Sequence, residues 1–256
     1  MQRGSKPIGN TNVFCLGLPH ELKEPEKLKA PKGLLHPKAI LKGVHKGVRD
    51  GGNKSGIPTV NGAIHFDRDY AGKPLIFCGT VGVLPKTLED GRDSSLKEIQ
   101  IGDRVFMVGG AIGKDGLHGA TFSSLELNES SPTSAVQIGD PLTQKRVTDF
   151  LLKARDLGLY HSLTDNGAGG LSSSVGEMAE STRGATIDLT KCPVKYQGLK
   201  AWELMISESQ ERMTFAVPPS KSKEFKLLAQ KYGVMATDIG HFHDQGFLEV
   251  LHLGER

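Results

Sequence analysis

Residues 206–213 read ISESQERM and place Glu208, Ser209, Gln210, Glu211 and Arg212 in consecutive positions. A carboxyl group, a hydroxyl and an amide side by side can accept and donate hydrogen bonds to a polar ligand. Such a run is ordinarily a solvated turn. Here Leu204, Met205 and Ile206 precede it and the strand-like MTFAV follows, so the alternative is a polar turn held in a cleft between buried elements. Three further segments could share that cleft. VGGAIGKDGLHGATFSS carries glycines at 109, 110, 113, 116 and 119 around Lys114, Asp115 and His118. It contains neither a GxxxxGK[ST] nor a GxGxxG pattern, and it reads equally as a strand–helix connection that needs positive φ. SAVQIGDPLTQKR puts Gln137 inside the apolar run AVQI, where a buried amide would need a partner, and Asp140 where it could cap the next helix. LTDNGAGGLSSS ends a strand on Asp165 and enters a helix through glycines. A carboxylate there is either a helix cap or a ligand for Mg²⁺, which takes one or two carboxylates plus phosphate oxygens.

These segments need elements to hold them. A helix is predicted after Pro37, with Ile40, Leu41, Val44 and Val48 on one face, ending at DGGNKSG. GIPTVNGAIHF reads as a strand with a turn and LIFCGTVGVL as a buried strand, whereas residues 1–35 show little periodicity. A second unit is predicted from residue 96. RVFMVGG is its first strand, and Val147, Phe150, Leu151 and Ala154 mark a helix after Pro141. HSLTD, ATIDL, MTFAV, VMATDIG and FLEVLHL are further strands, with helices after DNGAGG and over 219–232. The predicted class is α+β: a partial N-terminal α+β domain over 1–95 and an α/β layered domain over 96–256.

Composition narrows the function classes. The chain has 32 glycines in 256 residues with no Gly-X-Y period. That excess over the usual ~7% belongs in tight loops, where backbone N–H groups can approach an anion. Cys15, Cys78 and Cys192 are scattered without metal spacing, which argues against a disulfide framework and for a reducing, cytoplasmic compartment. No apolar run reaches the roughly 20 residues of a membrane span. Residues 20–54 hold nine Lys/Arg against four Asp/Glu. With no aromatics interleaved, a solvated basic face explains them better than nucleic-acid binding.

From GSKPIG at 4–9 and GNKSGIPTVNG at 52–62 through GGAIGKDGLHGATFSS, QIGDP, TDNGAGG and SESQERM, almost the whole chain resembles phosphoribosylformylglycinamidine synthase. That family is the ATP-dependent amidotransferase of purine biosynthesis, in the wider aminoimidazole ribonucleotide synthetase group. DGLHGATF and ESQERM carry the specificity; GNKSGIPTV and DNGAGG indicate the wider group. The resemblance implies conversion of formylglycinamide ribonucleotide to the formylglycinamidine ribonucleotide, with ATP and Mg²⁺. It implies that Gln137, Glu208, Ser209 and Gln210 contact the substrate and that Asp165 holds Mg²⁺. Glu211 and Arg212 are then expected to turn away and anchor the loop.

The family's HNHP-type segment has no counterpart here, so no catalytic residue is carried over, and the chain is expected to begin midway through the first domain. The remaining synthase halves and a glutaminase subunit or domain are expected partners, together with a homo-oligomer and without nucleic acid or membrane. Two other readings compete: another ATP-dependent enzyme of the group, such as a small-molecule kinase or selenophosphate synthetase, and a non-catalytic ligand- or partner-binding fragment.

Overall fold

The computed structural model describes residues 4–19, 35–96, 98–125 and 132–256. Part of the basic stretch at 20–54 therefore lies outside the described residues. The chain divides into two compact units, one comprising Pro7–Val83 with Phe122–Pro132, the other Met1–Lys6, Leu84–Thr121 and Thr133–Arg256.

In the smaller unit β1 (Lys6–Leu16) is flanked by β2 (Thr59–Phe66) and β3 (Leu75–Val83). β1 pairs with β2 in parallel, Val13 opposite Ala63 and Phe14 opposite Ile64. A parallel pair needs a crossover, and α1 (Pro37–Ser55) lies between the two strands in sequence. Pro37 supplies a first-turn residue that needs no N–H. Gly56 stops the helix in the left-handed region, at φ 73°, with its N–H on the Gly52 carbonyl. The helix stands where its periodicity put it, although Ile40, Leu41, Val44 and Val48 are only partly covered. LIFCGTVGVL does form a strand, but not a buried one. β3 is an edge strand of a three-stranded sheet, with Leu75, Phe77, Val81 and Val83 all more than half exposed.

The larger unit is a sheet sandwiched by helices. Among the described residues its six strands run in the order β5–β7–β4–β8–β6–β9, with β4 (Arg104–Gly109), β5 (Ser162–Asp165), β6 (Ala185–Asp188), β7 (Arg212–Val217), β8 (Ala236–Phe242) and β9 (Leu248–Leu251). The ladders are antiparallel except β6–β9. Strand alternation divides the core between the two faces. Val105 and Met107 of β4 pack with Leu171, Val175 and Met178 of α4 (Gly170–Glu180) and with Leu204 of α5 (Ala201–Ile206). Phe106 and Val108 face the other way, onto Phe150 and Leu151 of α3 (Pro141–Asp156), which follows the short α2 (Gly119–Ser124) in the chain, and onto Phe225 of α6 (Ser222–Lys231). On that side Phe150 and Phe225 meet edge to face at 5.0 Å between ring centroids, the arrangement that aromatic quadrupoles favour. β7 is buried along its whole length and β4 from Val105 onward, and the loops at one end of these strands carry the polar segments singled out above.

Candidate functional site

The ESQ turn connects α5 to β7. Glu208 and Ser209 are only 3% and 1% exposed, so their polar groups must find partners inside the protein. The carboxyl group of Glu208 is shared among three loops. Oε2 accepts from the backbone N–H of Ala120, at 2.9 Å, and from Nε2 of Gln137, at 2.6 Å. Oε1 accepts from the backbone N–H of Gly169, at 3.2 Å. Ser209 Oγ accepts the N–H of Gly113 at 3.0 Å and lies 3.1 Å from Ser207 Oγ, and Ser207 in turn donates to the Gly113 carbonyl at 2.8 Å. The polar run is therefore internal because it ties the GKDGLHG, QIGDP and DNGAGG loops together.

Two glycines allow this close approach. A Cβ on Gly116 would sit 2.8 Å from the Glu208 carbonyl carbon, and one on Gly170 would sit 2.2 Å from the Ser207 oxygen. Both residues also have positive φ, 74° and 57°, so only glycine fits without strain.

Arg212 and Glu211, expected to turn away from the site, both line a cavity beside the turn, but they are held differently. Arg212 is buried, with Nε on the Ser209 carbonyl at 2.9 Å and Nη2 on the Ser207 carbonyl. Burial pushes its pKa down to about 10, which still leaves it charged at neutral pH. It anchors the turn from beneath. Glu211 adopts φ 59°, an uncommon conformation for a residue with a side chain. Its side chain helps to line a cavity of about 200 Å³ with Asp165, Asn166, Gly167, Ser209, Gln210 and, from α3, Gln144. Burial raises the Glu211 carboxyl pKa; the Asp140 backbone N–H opposes that shift, and the charges of Asp140 and Asp115 add to it. Asp115 moves the other way. Burial works against its charged form, but hydrogen bonds from Lys195 and Ser209 hold it below the usual range.

The residues nominated from sequence come together in the larger unit. Gln137 is exposed rather than buried in its apolar run. Its amide bridges Glu208 and Gln210, with Gln210 Nε2 donating to Gln137 Oε1 at 2.9 Å. Asp165 closes β5 and lies in the cavity wall, exposed, with Oδ1 accepting the Gly167 N–H at 3.1 Å. It is not the cap of α4, whose N-cap is Gly169. Asp140 does cap α3, through Leu142 N at 3.1 Å and the Thr143 hydroxyl at 2.7 Å.

Sequence reasoning passed over Gln144 and Asn166. Gln144 lies one turn inside a helix whose apolar face drew the attention. Asn166 stood in the DNGAGG motif, where the carboxylate beside it drew the reading. Among the described residues no group of three or more His, Cys, Asp or Glu could enclose a metal ion. A cation at Asp165 would find at most two such side chains together and would draw its other ligands from water or a phosphate.

The AIR synthase related protein C-terminal domain model matches residues 100–252 and the N-terminal domain model residues 1–84. The chain is similar to phosphoribosylformylglycinamidine synthase subunit PurL of Chlorobium chlorochromatii, 34% identical over 260 residues, covering 98% of this chain and 32% of the relative. Among solved structures it is similar to T. maritima PurL complexed with FGAR, with a TM-score of 0.79 and 27% identity over 99% of this chain and 38% of that one. T. maritima PurL complexed with ATP gives a TM-score of 0.73 at 25% identity, over 99% and 36%. The chain thus spans about a third of the length of the curated relative.

Proposed function

The chain belongs to the AIR synthase related protein family, and from that premise we propose that it is part of an ATP-dependent amidotransferase that makes formylglycinamidine ribonucleotide. The observation that carries this reading is the Gln137–Glu208–Gln210 network beside a cavity lined by Asp165 and Gln210. A relative at 34% identity is a PurL subunit, and the similar T. maritima PurL has been solved with FGAR and with ATP.

In the reaction, the γ-phosphoryl group of ATP goes to the substrate's amide oxygen and ammonia displaces phosphate, leaving ADP, phosphate and the amidine. This chain's share is binding and orientation. Gln210 and Gln137 present amide groups to the substrate, and Ser209 braces the turn against Gly113. Glu208 acts behind them as a positioning residue: its acceptors are taken by Gln137 and two backbone amides, which fixes the direction of the Gln137 amide. Asp165 fits a Mg²⁺ ion that relies on phosphate oxygens for most of its ligands, since it offers a carboxylate at a cavity edge without a surrounding acidic cage. When bound, that ion would offset negative charge on the phosphoryl oxygens. The remaining synthase halves and a glutaminase would act with this chain, which would itself form a homo-oligomer.

Titrating formylglycinamide ribonucleotide into the wild-type chain and into Asp165→Asn, with and without Mg²⁺, tests the reading. Mg²⁺ should strengthen binding to the wild type and do little for the variant, whose melting temperature should be unchanged. Binding that is absent, or indifferent to Mg²⁺ in both proteins, would overturn it.

A further inference from the structure

The cavity of about 200 Å³ is walled on one side by α3. Gln144, Val147 and Thr148 all line it, and their spacing of three and four residues puts them on one face of the helix. Of the three, only Gln144 brings an amide. Its backbone is fixed at both ends: its N–H bonds the Asp140 carbonyl at 3.0 Å in the capped first turn, and its carbonyl accepts the Thr148 hydroxyl at 2.8 Å. The other polar side chains of the wall are engaged with the protein. Asp165 accepts from Gly167, Asn166 pairs with Thr214, and Ser209 accepts from Gly113. Gln210 donates to Gln137, Glu211 takes the Asp140 N–H, and Arg212 holds the carbonyls of Ser207 and Ser209. Gln144 is the exception. Among the described residues its side-chain amide has no hydrogen-bond partner. The amide is half-buried, and neither its nitrogen nor its oxygen is among the unpartnered polar atoms that are closed to solvent.

The substrate reading decides which part of a ligand meets this amide. Asp165 lies in the same wall, and on that reading its cation attends the phosphoryl group on its way to the substrate's amide oxygen. The formylglycinamide arm, rather than the ribose or its phosphate, therefore enters the cavity. The volume agrees, since sites that enclose a whole ligand run to roughly 300–1,000 Å³. The arm ends, one CH₂ beyond the reacting amide, in a formamide that carries an uncharged oxygen acceptor. Without the formyl group it ends in an amine. Such an amine, with a pKa near 8, is mostly protonated at neutral pH and offers no acceptor.

We propose that Gln144 reads the formyl group: its Nε2 donates to the formyl oxygen and so sets the preference for the formylated arm over the free amine. The proposal rests on the substrate reading above and adds to it the discrimination between the two arms. A neutral amide suits the task. Its donor is met by the formyl oxygen and left unmet beside an ammonium group, and an unmet donor in a covered site is what makes a hydrogen-bonding pocket reject the analogue that lacks the partner. A carboxylate at the same position would favour the ammonium instead.

The experiment titrates the wild type, Gln144→Met and Gln144→Glu with formylglycinamide ribonucleotide and with the same ribonucleotide lacking its formyl group, both with Mg²⁺, and reads the ratio of the two dissociation constants. The wild type should favour the formylated ligand about tenfold or more. Gln144→Met keeps the length of the side chain without the donor; it should bind the formylated ligand about tenfold more weakly and the amine much as the wild type does. Gln144→Glu should bind the amine more tightly than the wild type. A purely structural role would weaken both ligands by the same factor. An unchanged ratio in Gln144→Met, or a wild type without preference, would overturn the proposal and leave the substrate reading standing. A wild type that binds neither ribonucleotide would overturn the substrate reading, and this proposal with it.

Discussion

Glu208 is the residue on which most of the loop architecture depends. Replacing it with alanine would strand the N–H groups of Ala120 and Gly169 and the Gln137 amide. We expect Glu208→Ala to lower stability by roughly 2–4 kcal/mol, since buried donors would lose their acceptor. Glu208→Gln, which keeps one acceptor oxygen, should cost less, and urea denaturation would measure both. Glu211 gives a pH signature. Its folded pKa is raised above the ordinary 4.5, chiefly by burial. The folded state therefore holds the proton more tightly than the unfolded chain does. The associated stability is fully present below the ordinary value and is lost as pH rises through the shifted one. Glu211→Gln should consequently gain in melting temperature relative to the wild type as pH rises above the ordinary carboxyl value of 4.5. A difference that stays flat, or shrinks, across that range would contradict the assignment. The types of these residues and the apolar flanks around them were readable in the sequence, and so was the role of Arg212 as an anchor. That Glu208 would be consumed by backbone amides was not, because its three partners come from loops 39 to 88 residues away and nothing local records them.

The loops depend in turn on how α4 begins. Gly170, with φ 57° and its missing Cβ 2.2 Å from the Ser207 carbonyl oxygen, has no room for alanine. Gly176, farther along the same helix, would place a Cβ in open space. Gly170→Ala should destabilise by more than about 2 kcal/mol, and Gly176→Ala should stabilise by about 0.4–1 kcal/mol through helix propensity and a less free unfolded chain. Thermal melts of the two variants, moving in opposite directions, would check both expectations. At this level the sequence was informative wherever periodicity was strong. The helix starting at Pro37, the helix from Pro141 and the strands RVFMVG and RMTFAV all lie where their patterns put them. β1 was missed because KPIGNTNVFCL has a glycine and two asparagines where a strand pattern needs β-branched residues; it is a strand because β2 and β3 flank it. α5 is six residues long, too short to show a period, and the burial of LIFCGTVGVL was misjudged because hydrophobicity reports what a strand could cover, not what covers it.

The smaller unit leaves Val60, Ile64, Phe66, Leu75, Phe77, Val81 and Val83 exposed on β2 and β3. Exposed apolar strands of this kind drive association, and we expect a dimer or higher oligomer joined through the region 1–95. Light scattering that reports a monomer at high concentration would count against it. The 256-residue chain by itself should show no ammonia- or glutamine-dependent ATP hydrolysis with formylglycinamide ribonucleotide, because the HNHP-type motif of the family is absent from its sequence. Robust turnover would require other catalysts within it. Among the described residues no helix is long and apolar enough to cross a membrane. The family resemblance was legible because the motifs stand in family order along almost the whole chain. The meeting of Gln137 with Glu208 and Gln210 could only be expected from sequence, since it depends on the antiparallel order β5–β7–β4 that brings the loop ends together. A crystal structure of this chain grown with formylglycinamide ribonucleotide and Mg²⁺ would test that meeting point most directly. The ribonucleotide should lie in the cavity beside Gln210, within hydrogen-bond distance of Gln137 or Gln210, with the cation against Asp165. A ribonucleotide seated on another face, or a cavity lined by these residues that stays free of it at saturating concentration, would contradict the site.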